Sequence, residues 1–258
     1  MTYTIIIRSD EKSSKLKEYL IKQIKHTYVD SNPDIVIAIG GDGTILKAAH
    51  SYPLATIFGI HTGHLGFYAN YNIDTIDEVI NSINSGDYKV DELPLLSCKI
   101  ISKSNEIYSN ALNEITIVTP PRTLRLDVFI DNEFLERFRG TGFCISTPSG
   151  STAYNKSLHG SVVDSSVKCI QITEIAGINS NAYRTLSSPL ILNQDRFVRF
   201  DAVNEIEDVF ITVDHISYKV SDFKSLLIFN DNKKIKLAYN KHESFIKRIN
   251  RTFLISLD

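Results

Sequence analysis

The opening stretch of the chain alternates short apolar runs with amphipathic segments. Residues 3–7 are apolar and rich in β-branched side chains, the pattern of a strand buried on both faces. Over 11–26, Leu16, Leu20 and Ile24 recur four apart with lysines between them, which predicts an amphipathic helix. Residues 34–39 (DIVIAI) form a second buried run that leads directly into Gly40-Gly41-Asp42-Gly43-Thr44. A helix over 44–51 and a third strand over 55–60 follow. Asp74 then reads as the N-cap of a helix carrying Ile73, Ile76, Ile80 and Ile83 on one face and closed by Gly86. Strand–helix alternation of this kind predicts an open α/β domain over 1–92.

Beyond that point the period changes from helix to strand. Leu124, Leu126, Val128 and Ile130 alternate with Arg125, Asp127 and Phe129, as in a half-buried antiparallel strand. Asp131-Asn132 is a hairpin turn, and 134–138 is the returning strand. Residues 196–200, 209–213 and 225–229 are further strands, so 93–229 reads as an all-β domain. No linker or repeat is visible, which predicts that the two domains pack closely. The last stretch, about 230–258, is a candidate to return to the first domain.

Composition narrows the functional classes. Lys plus Arg total 28 against 30 for Asp plus Glu, a formal net charge of −2, which supplies no field for duplex nucleic acid or an anionic membrane. Any anionic ligand must then be held by a local site. Cys98, Cys144 and Cys169 are widely spaced and odd in number, giving neither a metal-ligand pair nor a disulfide framework. The N-terminal apolar run is too short for a signal peptide and no stretch reaches the length of a membrane span. These features predict a soluble cytoplasmic protein.

The sharpest candidate for chemistry is Gly40-Gly41-Asp42-Gly43-Thr44, between a buried strand and a helix. Glycines let a phosphate approach the backbone, and free amides at a helix N-terminus form an anion-binding nest. Asp42 is out of place in such a loop unless it accepts a proton or orients a hydroxyl; the plain alternative is a tight turn capped by Asp42. The pattern is neither a Walker A loop nor the dinucleotide fingerprint. A second cluster, His61-Thr62-Gly63-His64-Leu65-Gly66-Phe67-Tyr68, offers two glycines and two rings able to cover a flat ligand. His50, His61 and His64 lack acidic or thiol partners at regular spacing, so no metal site is predicted. Asn113-Glu114 places a carboxylate between strand-like segments, where burial needs a reason. Arg139-Gly140-Thr141-Gly142 sets a cation beside flexible backbone. The hydroxyl-rich run over 146–154 has the composition of a solvated loop. Asp214-His215 resembles half of a hydrolase triad, but no nucleophile elbow accompanies it.

Taken in order, GGDGT at 40–44, HTGHLGFY at 61–68, NE at 113–114, FRGTGFCISTPSGSTAYNKS at 138–157 and DH at 214–215 resemble the NAD kinase family, in its compact bacterial form. GGDGT is shared with lipid kinases and phosphofructokinases; the hydroxyl run and the Asn-Glu pair are the more specific signals. The resemblance implies a Rossmann-like N-terminal domain packed on a β-sandwich C-terminal domain, with NAD in the cleft between them. It implies Asp42 as acceptor or orienter of the ribose 2′-hydroxyl proton, with Gly43 lining the same site. Phe67 and Tyr68 would flank the adenosine, and Asn113 and Glu114 would hold ribose hydroxyls. Ser149, Thr152, Ala153 and Tyr154 would line the adenine and nicotinamide ends, with Ser157, Arg139, Thr141 and His215 completing the pocket. Ala176 and Asn179 resemble a segment that reaches a neighbouring subunit's site, which implies a homo-oligomer, a tetramer. A divalent ion, magnesium, would arrive with ATP.

The chain also departs from the family. Thr141 stands where the family has Asp, His159-Gly160 where it has Gly-Gly, and Asp164-Ser165 where it has His-Pro. These changes put the nicotinamide end in question and leave Asp42, Asn113 and Glu114 intact. A GGDGT kinase of lipids or sugars, and a non-catalytic NAD(P)-binding sensor, are the rival readings.

Overall fold

The computed structural model describes residues 1–63, 66–119, 122–206, 208–239 and 244–254. The chain divides into two units, Met1–Leu93 with Lys234–Asp258, and Pro94–Lys233. Among the described residues, the first unit holds a seven-stranded sheet. Its order is Thr27–Tyr28, Thr2–Ile7, Ile35–Ile39, Thr56–His61, Lys234–Tyr239 and Lys89–Pro94, with Tyr71–Asn72 also paired to Thr56–His61. The central pairs are parallel, with Ile5 opposite Ile37 and Ile37 opposite Phe58. Ile35–Ile39 is buried at every position, which explains its uninterrupted apolar run. The C-terminal strand Lys234–Tyr239 continues the sheet in parallel, Leu237 lying opposite Ile57. A Rossmann-like α/β layer results.

Helix Glu11–Gln23 buries Leu16 and Leu20 against this sheet, each such side chain contributing roughly 1.5–3 kcal/mol. Asp10 caps it by accepting the Ser13 N–H at 2.9 Å. Two expectations need correction. The helix after the glycine loop begins at Asp42, not Thr44, and runs Asp42–Ser51. Asp74 is not a cap: Asn72 and Thr75 form a capping box around the 3-10 turn Ile73–Thr75, from which helix Ile76–Ser85 continues. Gly86 closes that helix at φ 74°, the left-handed conformation expected of a terminal glycine.

The second unit is a β-sandwich of two six-stranded antiparallel sheets among the described residues. One sheet runs Glu133–Gly140, Leu124–Ile130, Val198–Ala202, Phe223–Phe229, Leu96–Ser102, Glu106–Ala111. The other runs Leu190–Asn193, Cys169–Ile175, Gly142–Ser146, Glu114–Val118, Asp208–Val213, Ile216–Ser221. Their inward residues, including Leu126, Phe138, Phe143, Ile145, Phe200 and Ile211, form one core. The hairpin at Asp131-Asn132 turns with both residues at positive φ (50° and 69°), the geometry two-residue hairpins favour. All three cysteines are free and buried. No helix among the described residues is long and apolar enough to cross a membrane.

Candidate active site

In the first unit, strand Ile35–Ile39 delivers the glycine loop. A Cβ on Gly40 would fall 2.2 Å from Thr44 Oγ1, so the turn closes only on glycine. Gly41 and Gly43 are different: a Cβ on either would meet nothing within 4 Å, and neither has a positive φ. The fold asks for no glycine there, and what the bare backbone leaves is access for a ligand. Gly41 is also the N-cap of helix Asp42–Ser51 and has no side chain to cap it.

Asp42 does not cap its own helix. Its carboxylate turns to the loop after strand Thr56–His61, where Oδ2 accepts the Phe67 N–H at 2.8 Å and Oδ1 the Tyr68 N–H at 3.0 Å. Gly66 makes room for it, since a Cβ there would lie 2.1 Å from Asp42 Oδ1. Each carboxylate oxygen offers two lone-pair directions, and the amides occupy one on each. The half-buried carboxylate is thus fixed in direction yet retains capacity to accept from a hydroxyl. Phe67 and Tyr68 are buried, and the Phe67 ring meets Tyr68 and Phe245 edge-on, both at 6.1 Å between centroids. The His61 Nδ1–H donates to the Gly63 carbonyl at 3.1 Å, and burial pulls the imidazole below its usual range. His64 and Leu65, the middle of this motif, lie outside the described residues.

In the second unit, Asp214 sits at positive φ (53°) in the hairpin between Asp208–Val213 and Ile216–Ser221. Its carboxylate accepts the N–H groups of Leu112 at 2.8 Å, Asn113 at 2.7 Å and Glu114 at 3.3 Å. Asp214 therefore orients the Asn113-Glu114 backbone, a role the sequence pattern did not show, and His215 beside it is exposed. Glu114 is buried; the Tyr154 N–H donates to it, while its Oε2 is buried without a hydrogen-bond partner. Burial, reinforced by the Asp214 charge, pushes the Glu114 carboxyl up to about 8. An interior acceptor left open is costly unless a ligand fills it. Asn113 is buried beside it, and its carbonyl accepts the Thr147 N–H at 2.9 Å.

The hydroxyl run is not the solvated loop its composition suggests. Ser146, Thr147, Ser149 and Ser151 are buried. Thr147 Oγ1 donates to the Leu112 carbonyl at 2.6 Å and accepts the Gly150 N–H at 2.9 Å; Ser149 Oγ lies 3.1 Å from it. Thr152 Oγ1 donates to the Ser149 carbonyl at 3.0 Å. Asn155, fully buried, accepts from Thr173 Oγ1 at 2.7 Å, a long-range bond with no local sequence signal. Local hydroxyl-to-backbone bonds thus fold 147–155 tightly against Asn113-Glu114, leaving Ala153 half-buried and Tyr154 and Ser157 exposed.

Arg139, Gly140 and Thr141 mark where the chain leaves one sheet for the other. Arg139 stacks its guanidinium on the Tyr183 ring at 3.6 Å, and its carbonyl accepts the Ile178 N–H at 2.7 Å. Thr141 presents an exposed side chain, its N–H donating to the Ile175 carbonyl at 2.9 Å. Ala176 takes a left-handed φ of 48°, and Asn179 accepts the Thr185 N–H at 2.9 Å and donates to Ser187, closing its own loop. Glu114 and Thr141 lie at opposite ends of strand Gly142–Ser146, because Ser146 pairs with Glu114 and Gly142 with Val118. The structure therefore groups Asn113, Glu114, Ser149, Thr152, Ala153 and Tyr154 at one end and Arg139, Thr141, Ala176 and Asn179 at the other.

A Rossmann-like unit that aims a carboxylate from an open glycine loop has the features of a phosphotransferase site. Residues 6–88 match the ATP-NAD kinase N-terminal domain and residues 112–218 the ATP-NAD kinase C-terminal domain. The chain belongs to the ATP-NAD kinase family. It is 41% identical to the NAD kinase of Staphylococcus saprophyticus, covering 100% of this chain and 99% of that protein. It is 40% identical to the NAD kinase of Staphylococcus epidermidis over the same shares. Among solved structures it is similar to yeast NADH kinase complexed with NADH, with a TM-score of 0.85, 23% identity, and 100% and 89% of the two chains covered. It is also similar to an NAD kinase from Archaeoglobus fulgidus in complex with ATP, with a TM-score of 0.79, 21% identity, and 99% and 100% covered.

Proposed function

We infer that this chain transfers the γ-phosphoryl group of ATP to the 2′-hydroxyl of the adenosine ribose of NAD, giving NADP. The observation that carries the reading is Asp42, a carboxylate held by two backbone amides beside glycines that the fold does not require. Phosphoryl transfer through a loose transition state needs positioning and charge stabilisation more than a strong base. Asp42 orients the hydroxyl and accepts its proton as the new P–O bond forms. The bare backbone at Gly41 and Gly43 and the uncapped start of helix Asp42–Ser51 face the transferred phosphate. ATP enters as its complex with a divalent ion, magnesium, which belongs to the donor substrate.

Asn113 and the open Oε2 of Glu114 take the ribose hydroxyls, and Ser149, Thr152, Ala153 and Tyr154 line the same end. Phe67 and Tyr68 wall the adenosine. The group at the other end of strand Gly142–Ser146, Arg139 and Thr141 with Ala176, receives the nicotinamide half, with Ser157 and His215 at the rim. Exposed Ile178, Tyr183 and Leu186, following Ala176, give a second copy of the chain an apolar surface, and the assembly is a homotetramer in the cytoplasm. A steady-state assay for NADP from NAD and ATP, run beside lipid and sugar acceptors, tests the reading. Phosphorylation of a lipid or sugar in preference to NAD, or tight NAD binding without turnover, would replace it by one of the two rivals.

A further inference from the structure

Helix Phe245–Ile249 carries a buried arginine, Arg248. Arg248 is 7% exposed, its Nε is buried with no hydrogen-bond partner, and its nearest carboxylate oxygen among the described residues, Asp91 Oδ2, is 3.9 Å from Nη2. Burying a guanidinium is costly, and an ion pair that long returns little of the cost. Among the described residues Arg248 also lies over the face of Phe67, with the guanidinium carbon 5.2 Å from the ring centroid. The cation–π attraction strengthens when both groups are removed from water. Phe245, one turn earlier, meets the same ring edge-on at 6.1 Å.

Phe67 is also one of the two residues whose amides hold the Asp42 carboxylate. Ring and amide belong to one residue, so fixing the ring fixes the direction of the N–H. Gly66 on its other side has no side chain to restrain the loop, and a Cβ there would strike Asp42 Oδ1. Packing of the Phe67 ring against Phe245 and Arg248 supplies a restraint on that residue.

We propose that Arg248, with Phe245, is a positioning residue that clamps Phe67 and thereby sets the orientation of the Asp42 carboxylate. This rests on the reading of Asp42 as the acting carboxylate. The residues that return to the first unit then do more than extend its sheet, since helix Phe245–Ile249 also packs on the residue that holds Asp42.

The test uses the full-length protein with Arg248→Met, which keeps the stem but not the charge, and Arg248→Lys, which restores a cation over the ring. Steady-state kinetics are measured together with amide hydrogen exchange on the free protein. In Arg248→Met, kcat should fall about tenfold, and KM for NAD, which the Phe67 wall also serves, should change by less than that, as expected for a misaligned catalytic group. Exchange should quicken at Phe67 and Tyr68 but not across Ile35–Ile39, and Arg248→Lys should recover most of both. Unchanged kcat with unchanged protection would overturn the proposal. So would loss of protection extending through Ile35–Ile39, which marks general destabilisation, or an effect confined to KM. An Asp42→Asn enzyme with native turnover would sink the reading of Asp42 instead, and the exchange data on Arg248→Met would still decide the clamp.

Discussion

Glu114 shows how a single buried carboxyl links stability, pH and binding. Burial first, and then the Asp214 charge, push its carboxyl up from the ordinary carboxylate range to about 8 in the folded protein. A raised carboxyl means the folded protein keeps a proton that the unfolded chain has already lost. Stability should therefore fall as pH rises from the ordinary carboxylate range to about 8 and level off above it. Glu114→Gln should flatten that slope in urea denaturation at successive pH values; an unaltered slope would show that the carboxyl is not held neutral. Ribose hydroxyls that donate to Glu114 favour its ionised form, so NAD binding at neutral pH should release a proton. Calorimetry in two buffers of different ionisation enthalpy reads this directly, and equal heats in both would contradict it. At the other end of the strand, Thr141 offers a neutral hydroxyl where relatives are expected to carry Asp. Thr141→Asp should tighten NAD several-fold, about 1 kcal/mol, with little effect on an adenosine fragment. Equal changes for both ligands would move Thr141 away from the nicotinamide. His159 stands where the family's glycine is expected and adopts φ 62°, a conformation that costs a side-chain-bearing residue about 1 kcal/mol.

At the level of elements, the loop that follows strand Thr56–His61 separates two kinds of glycine. Gly63 has open space where a Cβ would go, whereas at Gly66 a Cβ would lie 2.1 Å from the Asp42 carboxylate. Gly63→Ala should leave thermal stability unchanged, while Gly66→Ala should displace Asp42 and abolish most turnover in a protein that still folds. Turnover surviving in Gly66→Ala would mean that the carboxylate does not act from the observed position. Apolar runs and alternation made the strands around Ile37, Phe58 and Val128 and the helices at Leu16 and Ile80 readable from sequence, because burial on one or both faces dictates those periods. Strand Gly142–Ser146 was not readable, since glycine, cysteine and serine take three of its five positions and its partners are distant in sequence. The site was legible in the same uneven way. Asp42 and Glu114 stand out as carboxylates in improbable company, but Asp214 holding the 112–114 amides and Arg248 on Phe67 are long-range contacts with no local signature.

Over the whole molecule, a net charge of −2 supplies no long-range attraction for two phosphate-bearing substrates, so binding must come from a local site. In the proposed tetramer, exposed Ile178, Tyr183, Leu186 and Ile191 would carry the contact between copies. Light scattering should report a tetramer that Ile178→Glu with Leu186→Glu converts to smaller species; a monomer at all concentrations would remove the assembly from the account. The central claim is that this chain makes NADP through Asp42. Its most direct measurement is the rate of NADP formation from NAD and MgATP by the wild-type protein and by Asp42→Asn, with thermal unfolding recorded for both. The wild type should form NADP, and a folded Asp42→Asn should lower kcat by about 10²-fold or more. Near-native turnover in the folded variant, or no NADP from the wild type, would contradict it.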